Sequence, residues 1–337
     1  MKVKGTVIII SILVAGVITY GILTKPFSAD DSGRTIEFAY MVEVNNIPPD
    51  AENVSVLIPV PQSDYHQIIS NINIDSPSPY VYLTDNEYGN KIIRIDLDGE
   101  SVGESFRAKM TFLANRKNYS ALDGSLKEID RPSELMLARF LSPDKLIPLD
   151  GAVLKETEKV VKESMTDLEK ARAIYDNVVA TMTYDKSGVG WGRGDAVYAC
   201  DTRAGNCTDF HSLFIGMARA SGIPARFVMG FPLPEDREEG EIAGYHCWAE
   251  FYTDELGWVP VDASEASKNP EKTDFFFGSL DENRVAFTIG RDITLEIEGL
   301  SDPLNYLIYP VVLVDGKKHN EVERYFSFAD RKIERII

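Results

Sequence analysis

Apolar and polar residues alternate in several short segments along the first third of the chain. The longest is Arg34–Val44, and residues 53–59, 91–97 and 105–113 follow the same pattern with turn residues between them. Alternation of this kind predicts β-strands that bury one face. Because several such strands in succession are typical of a β-sandwich, we expect residues 28–122 to form an immunoglobulin-like sandwich with a scaffolding role.

Helical spacing replaces alternation further along the chain. Residues 166–169 (TDLE) fit a capping box, and apolar residues then recur on one helical face. A second apolar stripe from Phe210 to Ala218 predicts a helix that begins at or just after Cys207 and ends before Gly222. Further β-like segments lie at residues 225–231, 247–253, 258–261, 284–295 and 304–314. This part of the chain therefore mixes helices and strands.

The first residues form a separate apolar segment. Twenty consecutive uncharged residues lie between Lys4 and Lys25, enough for a helix of about 30 Å that crosses a membrane. Lys2, Lys4 and the amino terminus outnumber Lys25, so we expect the N-terminus on the cytoplasmic side and the rest outside. Residues 1–27 are interpreted as an uncleaved signal anchor, because the run exceeds a usual signal-peptide core and residues 27–29 are a poor cleavage site. A cleaved signal peptide is the competing interpretation, and a lipoprotein anchor has no support because no cysteine follows the run.

The charge balance argues against nucleic acid as a partner. The 337 residues carry 53 acidic and 35 basic side chains, a net charge of −18, and a field of that sign repels phosphate. The three cysteines, Cys200, Cys207 and Cys247, are too few for a disulfide scaffold and lack zinc-ligand spacing. The Gly-rich residues 188–194 lack the Gly-Lys-Ser/Thr of a phosphate-binding loop. We therefore expect no metal and no other cofactor.

One of the three cysteines has the surroundings of a nucleophile. Cys207 follows a Gly-Asn turn at a predicted helix start, where the positive end of the helix dipole favours a thiolate. A thiolate attacks an amide carbonyl to give an acyl-enzyme. Because a lone cysteine is more often a buried structural residue, this interpretation depends on the residues that accompany Cys207.

A histidine and an aspartate downstream complete a candidate triad. Alternation in the predicted strand at His246 turns Cys247 to the other face, as a core residue or as a disulfide partner of Cys200. A hairpin brings Asp262 beside His246, where its carboxylate can orient the imidazole. The alternatives are a half-buried structural role for His246 and a helix-capping role for Asp262.

Two further residues near the nucleophile have open roles. Trp191, in the Gly-rich loop, carries one indole N–H and is a candidate second oxyanion donor beside the Cys207 N–H. A packing role or a place in the substrate groove is equally compatible with Trp191. His211 lies one helical turn after Cys207 and is the rival base, but it cannot easily reach the same sulfur with Asp262 behind it.

Five short motifs, taken in order, resemble a transglutaminase-like domain of the papain-related cysteine enzyme superfamily. They lie at residues 171–175 (ARAIY), 205–209 (GNCTD), 222–226 (GIPAR), 246–248 (HCW) and 258–262 (WVPVD). The resemblance implies an α+β, papain-like core in which Cys207 begins a helix and His246 and Asp262 lie on an antiparallel sheet. It also implies that these three residues are the catalytic triad.

The chain further resembles bacterial and archaeal members of that superfamily that carry an N-terminal β region and a membrane anchor. On this basis the expected segments are a transmembrane signal anchor at residues 1–27, a β-sandwich-like domain at 28–122, a connecting region at 123–155, a transglutaminase-like catalytic core at 156–278 and a β-rich C-terminal extension at 279–337.

These observations together predict a thiol enzyme with a single membrane span and an extracytoplasmic catalytic part. Its partner would be a protein or peptide substrate, such as one from the cell envelope, whose peptide or glutamine-type amide it opens through a thioester. With water as acceptor it is a protease or deamidase, which we favour because no motif marks an amine site. With a lysine amine it is a cross-linking protein-glutamine transglutaminase. A non-catalytic binding or scaffold module of the cell envelope is the alternative from another class.

Overall fold

The computed structural model describes residues 33–98, 105–123 and 131–332. The expected transmembrane anchor at residues 1–27 lies outside these ranges and stays a prediction. Within the described ranges, no helix has both the length and the apolar character that a membrane span requires.

The described chain begins with strands, continues with helices and short strands, and ends with strands. The first strands are β1 (Arg34–Val44), β2 (Asn53–Val60), β3 (Gln67–Asp75), β4 (Tyr80–Thr84), β5 (Lys91–Asp98), β6 (Phe106–Arg116) and β7 (Tyr119–Ser120). The helices are α1 (Glu134–Leu141), α2 (Gly151–Val160), α3 (Asp167–Thr181), α4 (Ala196–Thr202), α5 (Cys207–Ala220) and α6 (Ala263–Lys268). The other strands are β8 (Thr183–Tyr184), β9 (Ala204–Gly205), β10 (Ala225–Pro232), β11 (Glu239–Glu241), β12 (His246–Thr253), β13 (Gly257–Val261), β14 (Ser279–Leu280), β15 (Arg284–Ile289), β16 (Val311–Val314), β17 (Lys317–Lys318) and β18 (Val322–Asp330).

One five-stranded antiparallel sheet has the order β11-β18-β1-β6-β3. In β1, every second residue from Ile36 to Val44 is buried, as the alternating sequence predicts. Phe38 of β1 stacks on Phe112 of β6 with ring centroids 5.2 Å apart, and its ring lies 5.3 Å from that of Phe231 in β10. The buried face of this sheet therefore packs against β10, a strand of the sheet on which the central helix α5 lies.

The second five-stranded antiparallel sheet has the order β17-β16-β2-β5-β4, and residues on one of its faces share a hydrophobic core with the first sheet. Both sheets include strands from the C-terminal part of the chain. In the pairing of β18 with β1, Phe328 lies opposite Phe38, and in the pairing of β16 with β2, Val312 lies opposite Val56. Strands of the expected C-terminal extension thus complete the sheets of the expected β-sandwich-like domain. The segment boundaries themselves stay predictions.

A four-stranded antiparallel sheet, β13-β12-β10-β15, supports the central helix α5. As the sequence predicts, α5 begins at Cys207, and all residues from Cys207 to Arg219 are buried. The predicted apolar stripe faces the sheet, with the rings of Phe214 and Phe251 6.2 Å apart. Helices α2, α3 and α4 pack against the other sides of α5. A helix enclosed in this way holds its first residue in a fixed position relative to the sheet.

Two expected strands are shorter than the sequence pattern suggests. Residues 284–295 form a strand only as far as Ile289, because the chain turns at Gly290, where φ is +84° and a Cβ would lie 2.5 Å from the Tyr88 ring. Residues 304–314 form a strand only at Val311–Val314. The sequence pattern did not predict strands β3 and β4 or helices α1, α2 and α4.

Candidate active site

Cys207 is the first residue of α5 and is 3% exposed. The Asn206 side chain accepts a hydrogen bond from the Thr208 N–H at 3.0 Å, and the Asp209 carboxylate accepts one from the Asn206 N–H at 3.0 Å. This reciprocal capping box fixes the start of the helix. The Cys207 thiol is therefore held at the positive end of the dipole of a 14-residue helix.

A buried carboxylate fastens the Gly-rich loop to this helix. Besides the hydrogen bond from the Asn206 N–H, the Asp209 carboxylate accepts hydrogen bonds from the N–H groups of Gly192 at 2.7 Å and Gly194 at 3.0 Å. Gly205 allows this close approach, since a Cβ there would lie 2.4 Å from Asp209 Oδ2. Burial raises the pKa of Asp209, and the three N–H groups oppose that shift. The Gly-rich loop and helix α5 are thus both held by the Asp209 carboxylate.

Replacing Asp209 by alanine should loosen this loop. Three backbone N–H groups lose their acceptor, so we expect the free energy of unfolding to fall by about 3 kcal/mol. The amides of Gly192 and Gly194 should exchange with deuterium at least about tenfold faster, which hydrogen-exchange mass spectrometry measures. Asp176→Ala is the control, because that carboxylate pairs with Arg172 on an exposed helix face. Unchanged exchange in Asp209→Ala would contradict the assignment.

His246 begins β12, and Asp262 directly follows β13, the strand paired with β12. The imidazole Nε2 and Asp262 Oδ2 are 2.7 Å apart, and both residues are buried. Because an ionised carboxylate only accepts hydrogen bonds, Nε2 carries a proton, and Nδ1 is the nitrogen left to exchange a proton with a thiol. The hairpin predicted from the sequence therefore brings these two residues together.

The site favours a negative thiolate beside a positive imidazolium. The largest influence on the pKa of Cys207 is a hydrogen bond from the Cys247 thiol, which lowers it. Burial raises the pKa of Cys207, but the hydrogen bond and the charge of His246 lower it further. The net result is a Cys207 pKa well below its usual range. Burial lowers the pKa of His246, but the charge and hydrogen bond of Asp262, followed by the influence of Cys207, outweigh it and raise that pKa to about 10. Cys207 and His246 are therefore electrostatically suited to form an ion pair.

Asp262 combines the two roles that the sequence left as alternatives. Asp262 is the N-cap of α6, and its Oδ1 accepts hydrogen bonds from the Glu265 N–H at 3.0 Å and from the Ser264 hydroxyl at 3.1 Å. Its Oδ2 faces His246. Each role uses a different oxygen of the carboxylate. The cap at Oδ1 therefore fixes the orientation of the carboxylate, and with it the position of Oδ2 beside the imidazole.

Arg284 is a residue of the site that the sequence did not reveal. Its Nη1 donates to Asp262 Oδ2 at 2.8 Å, and its Nε and Nη2 donate to Asp281 at 3.2 and 3.1 Å. The guanidinium also lies 5.2 Å from the ring of Trp248. Burial raises the pKa of Asp262, but the charges of His246 and Arg284 outweigh it and hold that pKa well below its usual range. Arg284 thus helps to keep the carboxylate ionised.

Cys247 lies at the site, contrary to the expectation that it is turned away from it. The predicted alternation in β12 holds, but α5 packs over the face that carries Cys247, so its thiol interacts with Cys207 and lies 3.7 Å from His211 Nδ1. All three cysteines are free, so Cys247 is not bonded to Cys200. Burial raises the pKa of Cys247 well above its usual value, which leaves Cys207 as the thiol that ionises.

His211, the rival base, makes a different set of contacts. Its Nε2 accepts the Ala263 N–H at 3.2 Å and lies 3.6 Å from Asp262 Oδ1. Since a nitrogen that accepts a backbone N–H carries no proton, these contacts assign the proton to Nδ1, and burial lowers the pKa of His211. The geometry therefore favours His246 as the base. Over the described residues, no group of three or more His, Cys, Asp or Glu side chains is arranged to hold a metal ion.

Trp191 lies half-buried in the loop that Asp209 holds. Arg291 donates to Gly194 O at 3.0 Å and Tyr306 donates to Gly192 O at 3.2 Å, so the loop is also held through its carbonyl groups. The structure shows no hydrogen bond between the indole N–H of Trp191 and a described residue. Its role as an oxyanion donor stays a prediction.

A buried helix that begins at a cysteine and packs on an antiparallel sheet bearing a His–Asp pair defines a papain-type fold with a cysteine-centred site. Residues 155–263 match the model of the Transglutaminase-like superfamily. The match supports a transglutaminase-like superfamily domain in this part of the chain, and the mixed α and β, papain-type fold implied by the sequence motifs is confirmed.

Known proteins resemble the chain to different extents. An uncharacterized protein of Haemophilus influenzae is 26% identical over 316 residues, which cover 82% of this chain and 85% of that protein. The Protein-glutamine gamma-glutamyltransferase of Pseudomonas aeruginosa is 36% identical over 67 residues, only 18% of this chain and 10% of that enzyme. The crystal structure of a candidate cysteine protease from Cytophaga hutchinsonii has the same fold, with a TM-score of 0.61, 17% identity, and coverage of 90% of this chain and 93% of that chain.

Proposed function

We propose that this protein is a cysteine-dependent amide hydrolase with Cys207, His246 and Asp262 as its catalytic triad. The observation that carries the proposal is a single ionisable thiol at the start of a buried helix, beside a histidine whose other ring nitrogen is bound to a buried carboxylate. Nucleophile, base and orienting carboxylate are the three parts that acyl transfer by a thiol requires.

In the first half-reaction, the Cys207 thiolate attacks the carbonyl carbon of a peptide or glutamine-type amide. The new S–C bond forms as the carbonyl electron pair moves to oxygen, and the Cys207 N–H at the helix start is one donor to that oxyanion. When the carbonyl reforms, the C–N bond breaks, and the imidazolium of His246 gives its Nδ1 proton to the leaving amine or ammonia. Asp262 holds the ring in position through Nε2 throughout this step.

In the second half-reaction, an acceptor resolves the thioester. His246, now neutral, takes a proton from water at Nδ1, and the resulting hydroxide oxygen attacks the thioester carbon. Collapse releases the carboxylic acid and returns the Cys207 thiolate with the imidazolium. Cleavage of a main-chain amide by this route is proteolysis, and cleavage of a glutamine side-chain amide is deamidation.

Transfer to an amine is the second candidate. The local similarity to a Protein-glutamine gamma-glutamyltransferase favours it, although the similar stretch covers only 10% of that enzyme. A lysine amine that attacks the same thioester would leave a cross-link between two chains. We favour hydrolysis because no sequence motif marks a site for the amine.

We further propose that the catalytic part lies outside the cell membrane, where a protein or peptide of the cell envelope is the substrate. The uncharged run between Lys4 and Lys25 and the preceding lysines support this orientation. Protease treatment of intact spheroplasts tests it. Degradation of the domain in intact spheroplasts supports the proposal, and protection until the membrane is broken contradicts it.

Mass spectrometry of peptides separates the reaction types in one assay. Glutamine-containing peptides and cell-envelope fragments are incubated with the wild type or with Cys207→Ala, with and without a primary amine. Cleaved chains, amide-to-acid conversion and amine adducts identify protease, deamidase and transferase in turn. Products that form equally with Cys207→Ala would exclude the thiol mechanism. An inert wild type whose Cys207 also resists thiol reagents would favour the scaffold alternative.

The pH dependence should reveal the ion pair. Because the pKa of Cys207 is well below its usual value near 9 and that of His246 is about 10, both charged forms coexist at neutral pH. We expect kcat/KM to rise as Cys207 loses its proton, to stay high through neutral pH, and to fall near pH 10, where the imidazolium loses the proton that the leaving amine needs. Alkylation of Cys207 by iodoacetamide needs only the thiolate, so it should continue above pH 10. An alkylation midpoint near 9 would contradict the ion pair.

A further inference from the structure

The hydroxyl of Tyr245 lies beside the start of the nucleophile helix. Its oxygen is 3.1 Å from Asn206 Nδ2 and 3.5 Å from Thr208 Oγ1, so it contacts the residues on either side of Cys207 in the chain. The ring of Tyr245 packs against those of Tyr306 and Tyr309, with centroids 5.8 and 5.6 Å apart. An aromatic cluster therefore holds this hydroxyl next to the first turn of α5.

The acceptors available to the Tyr245 proton are neutral hydroxyl groups. The Asn206 amide donates to the hydroxyl oxygen, which occupies it as an acceptor. The Thr208 hydroxyl donates to Asn206 Oδ1, so it can only accept from Tyr245, and 3.5 Å is long for such a bond. The Tyr306 hydroxyl, whose own proton goes to the Gly192 carbonyl, is a second neutral acceptor for a hydrogen bond from Tyr245. A negatively charged oxygen would be a stronger acceptor than either of these hydroxyls.

The negative charge of the Cys207 thiolate interacts electrostatically with Tyr245. Burial raises the pKa of Tyr245 well above its ordinary value, and the negative charge of Cys207 raises it further. The tyrosine therefore keeps its proton across the working pH range and remains a donor. The same Coulomb interaction means that negative charge developing next to Cys207 lies within range of the O–H dipole.

We propose that the Tyr245 hydroxyl is a catalytic donor that, together with the Cys207 N–H, binds the oxyanion during attack on the substrate carbonyl. This proposal rests on the acyl-transfer function proposed above. As the S–C bond forms, the carbonyl oxygen gains the electron pair, and Tyr245 turns its O–H toward it without giving up the proton. When the C–N bond breaks, the oxygen returns its electrons, and the leaving nitrogen takes its proton from His246. Trp191 is compatible with this arrangement as an additional donor.

The donor role can be separated from a structural role by comparing two reactions of the same thiol. p-Nitrophenyl acetate acylates a thiolate through a tetrahedral oxyanion, whereas iodoacetamide alkylates it by direct displacement without one. In Tyr245→Phe, we expect the rate constant for acylation of Cys207 to fall about 10²-fold, as for the loss of one oxyanion donor. The rate constant for alkylation should stay within about twofold of the wild type, because thiolate and fold are preserved.

Tyr309→Phe is the matched control. It removes a hydroxyl from the same aromatic cluster, one whose oxygen accepts the Tyr245 N–H at 3.4 Å, and both rate constants should stay within about threefold of the wild type. Equal losses of acylation and alkylation in Tyr245→Phe would overturn the donor role, and so would rapid acylation of that variant. If the wild type is acylated no faster than a free thiol, the proposed function fails as well, and this outcome is visible before any variant is compared.

Discussion

Replacing His246 by alanine should lower kcat/KM for amide cleavage by about 10⁴-fold. The substitution removes the group that protonates the leaving amine, which by itself is worth about 10² to 10⁴. It also removes an imidazolium that lowers the pKa of Cys207, so less of the thiol is ionised at neutral pH. Alkylation of Cys207 by iodoacetamide at pH 7 should therefore slow as well, and its midpoint should move to higher pH. Steady-state kinetics and the pH dependence of alkylation measure the two effects.

His319→Ala provides the control for this substitution. The His319 ring makes a hydrogen bond to the Asn45 carbonyl in the β region and has no contact with the candidate site. Its activity and alkylation rate should match those of the wild type. An active His246→Ala protein, or one whose thiol still titrates at the wild-type pH, would show that another group serves as the base.

Replacing Asp262 by asparagine should have nearly as large an effect. The amide can present an N–H where Oδ2 now accepts from His246 Nε2, so the imidazole changes tautomer and Nδ1 no longer receives the thiol proton. We expect kcat to fall by about 10³- to 10⁴-fold. Because the substitution also leaves Arg284 and the imidazole without their shared carboxylate, the free energy of unfolding should fall by about 3 kcal/mol. Kinetics and urea denaturation measure these two quantities.

Asp281→Asn separates catalysis from stability. Asp281 accepts two hydrogen bonds from Arg284 but has no hydrogen bond to His246. Its replacement should destabilise the fold through Arg284 while leaving kcat within about tenfold of the wild type. If Asp281→Asn and Asp262→Asn reduce kcat equally, the orienting role of Asp262 is wrong and its effect is structural.

Local sequence signals predicted several helices and strands, including the helix that begins at Cys207. Thr166 and Asn206 precede well-formed helices, and in both cases a carboxylate three residues later returns to the cap. The strand Arg34–Val44 alternates over its full length because only one of its faces is buried. In each of these cases, information within a few residues decides the structure.

Pairings between distant parts of the chain were not predictable in the same way. Nothing in residues 322–330 specifies that they pair with β1, because an alternating strand fits many partners. The alternation in β12 correctly separated His246 from Cys247, but it could not tell that α5 covers the face that carries Cys247. Arg284 and Tyr245 acquire their places through contacts formed only when separate elements pack together. The motifs that carry the candidate triad were therefore accessible from the sequence, whereas the groups that surround Cys207, His246 and Asp262 were not.

Trapping an acyl-enzyme is the decisive test that Cys207 is the nucleophile. The full-length protein is mixed with a glutamine-containing peptide, quenched in acid within the first turnover, and analysed by intact-mass and peptide-mapping mass spectrometry. We expect one acyl group per protein, attached to Cys207 with loss of ammonia or amine. The adduct should be present in Cys200→Ser and absent in Cys207→Ala. Turnover without any adduct in the wild type, or an adduct on Cys247 instead, would show that Cys207 is not the nucleophile.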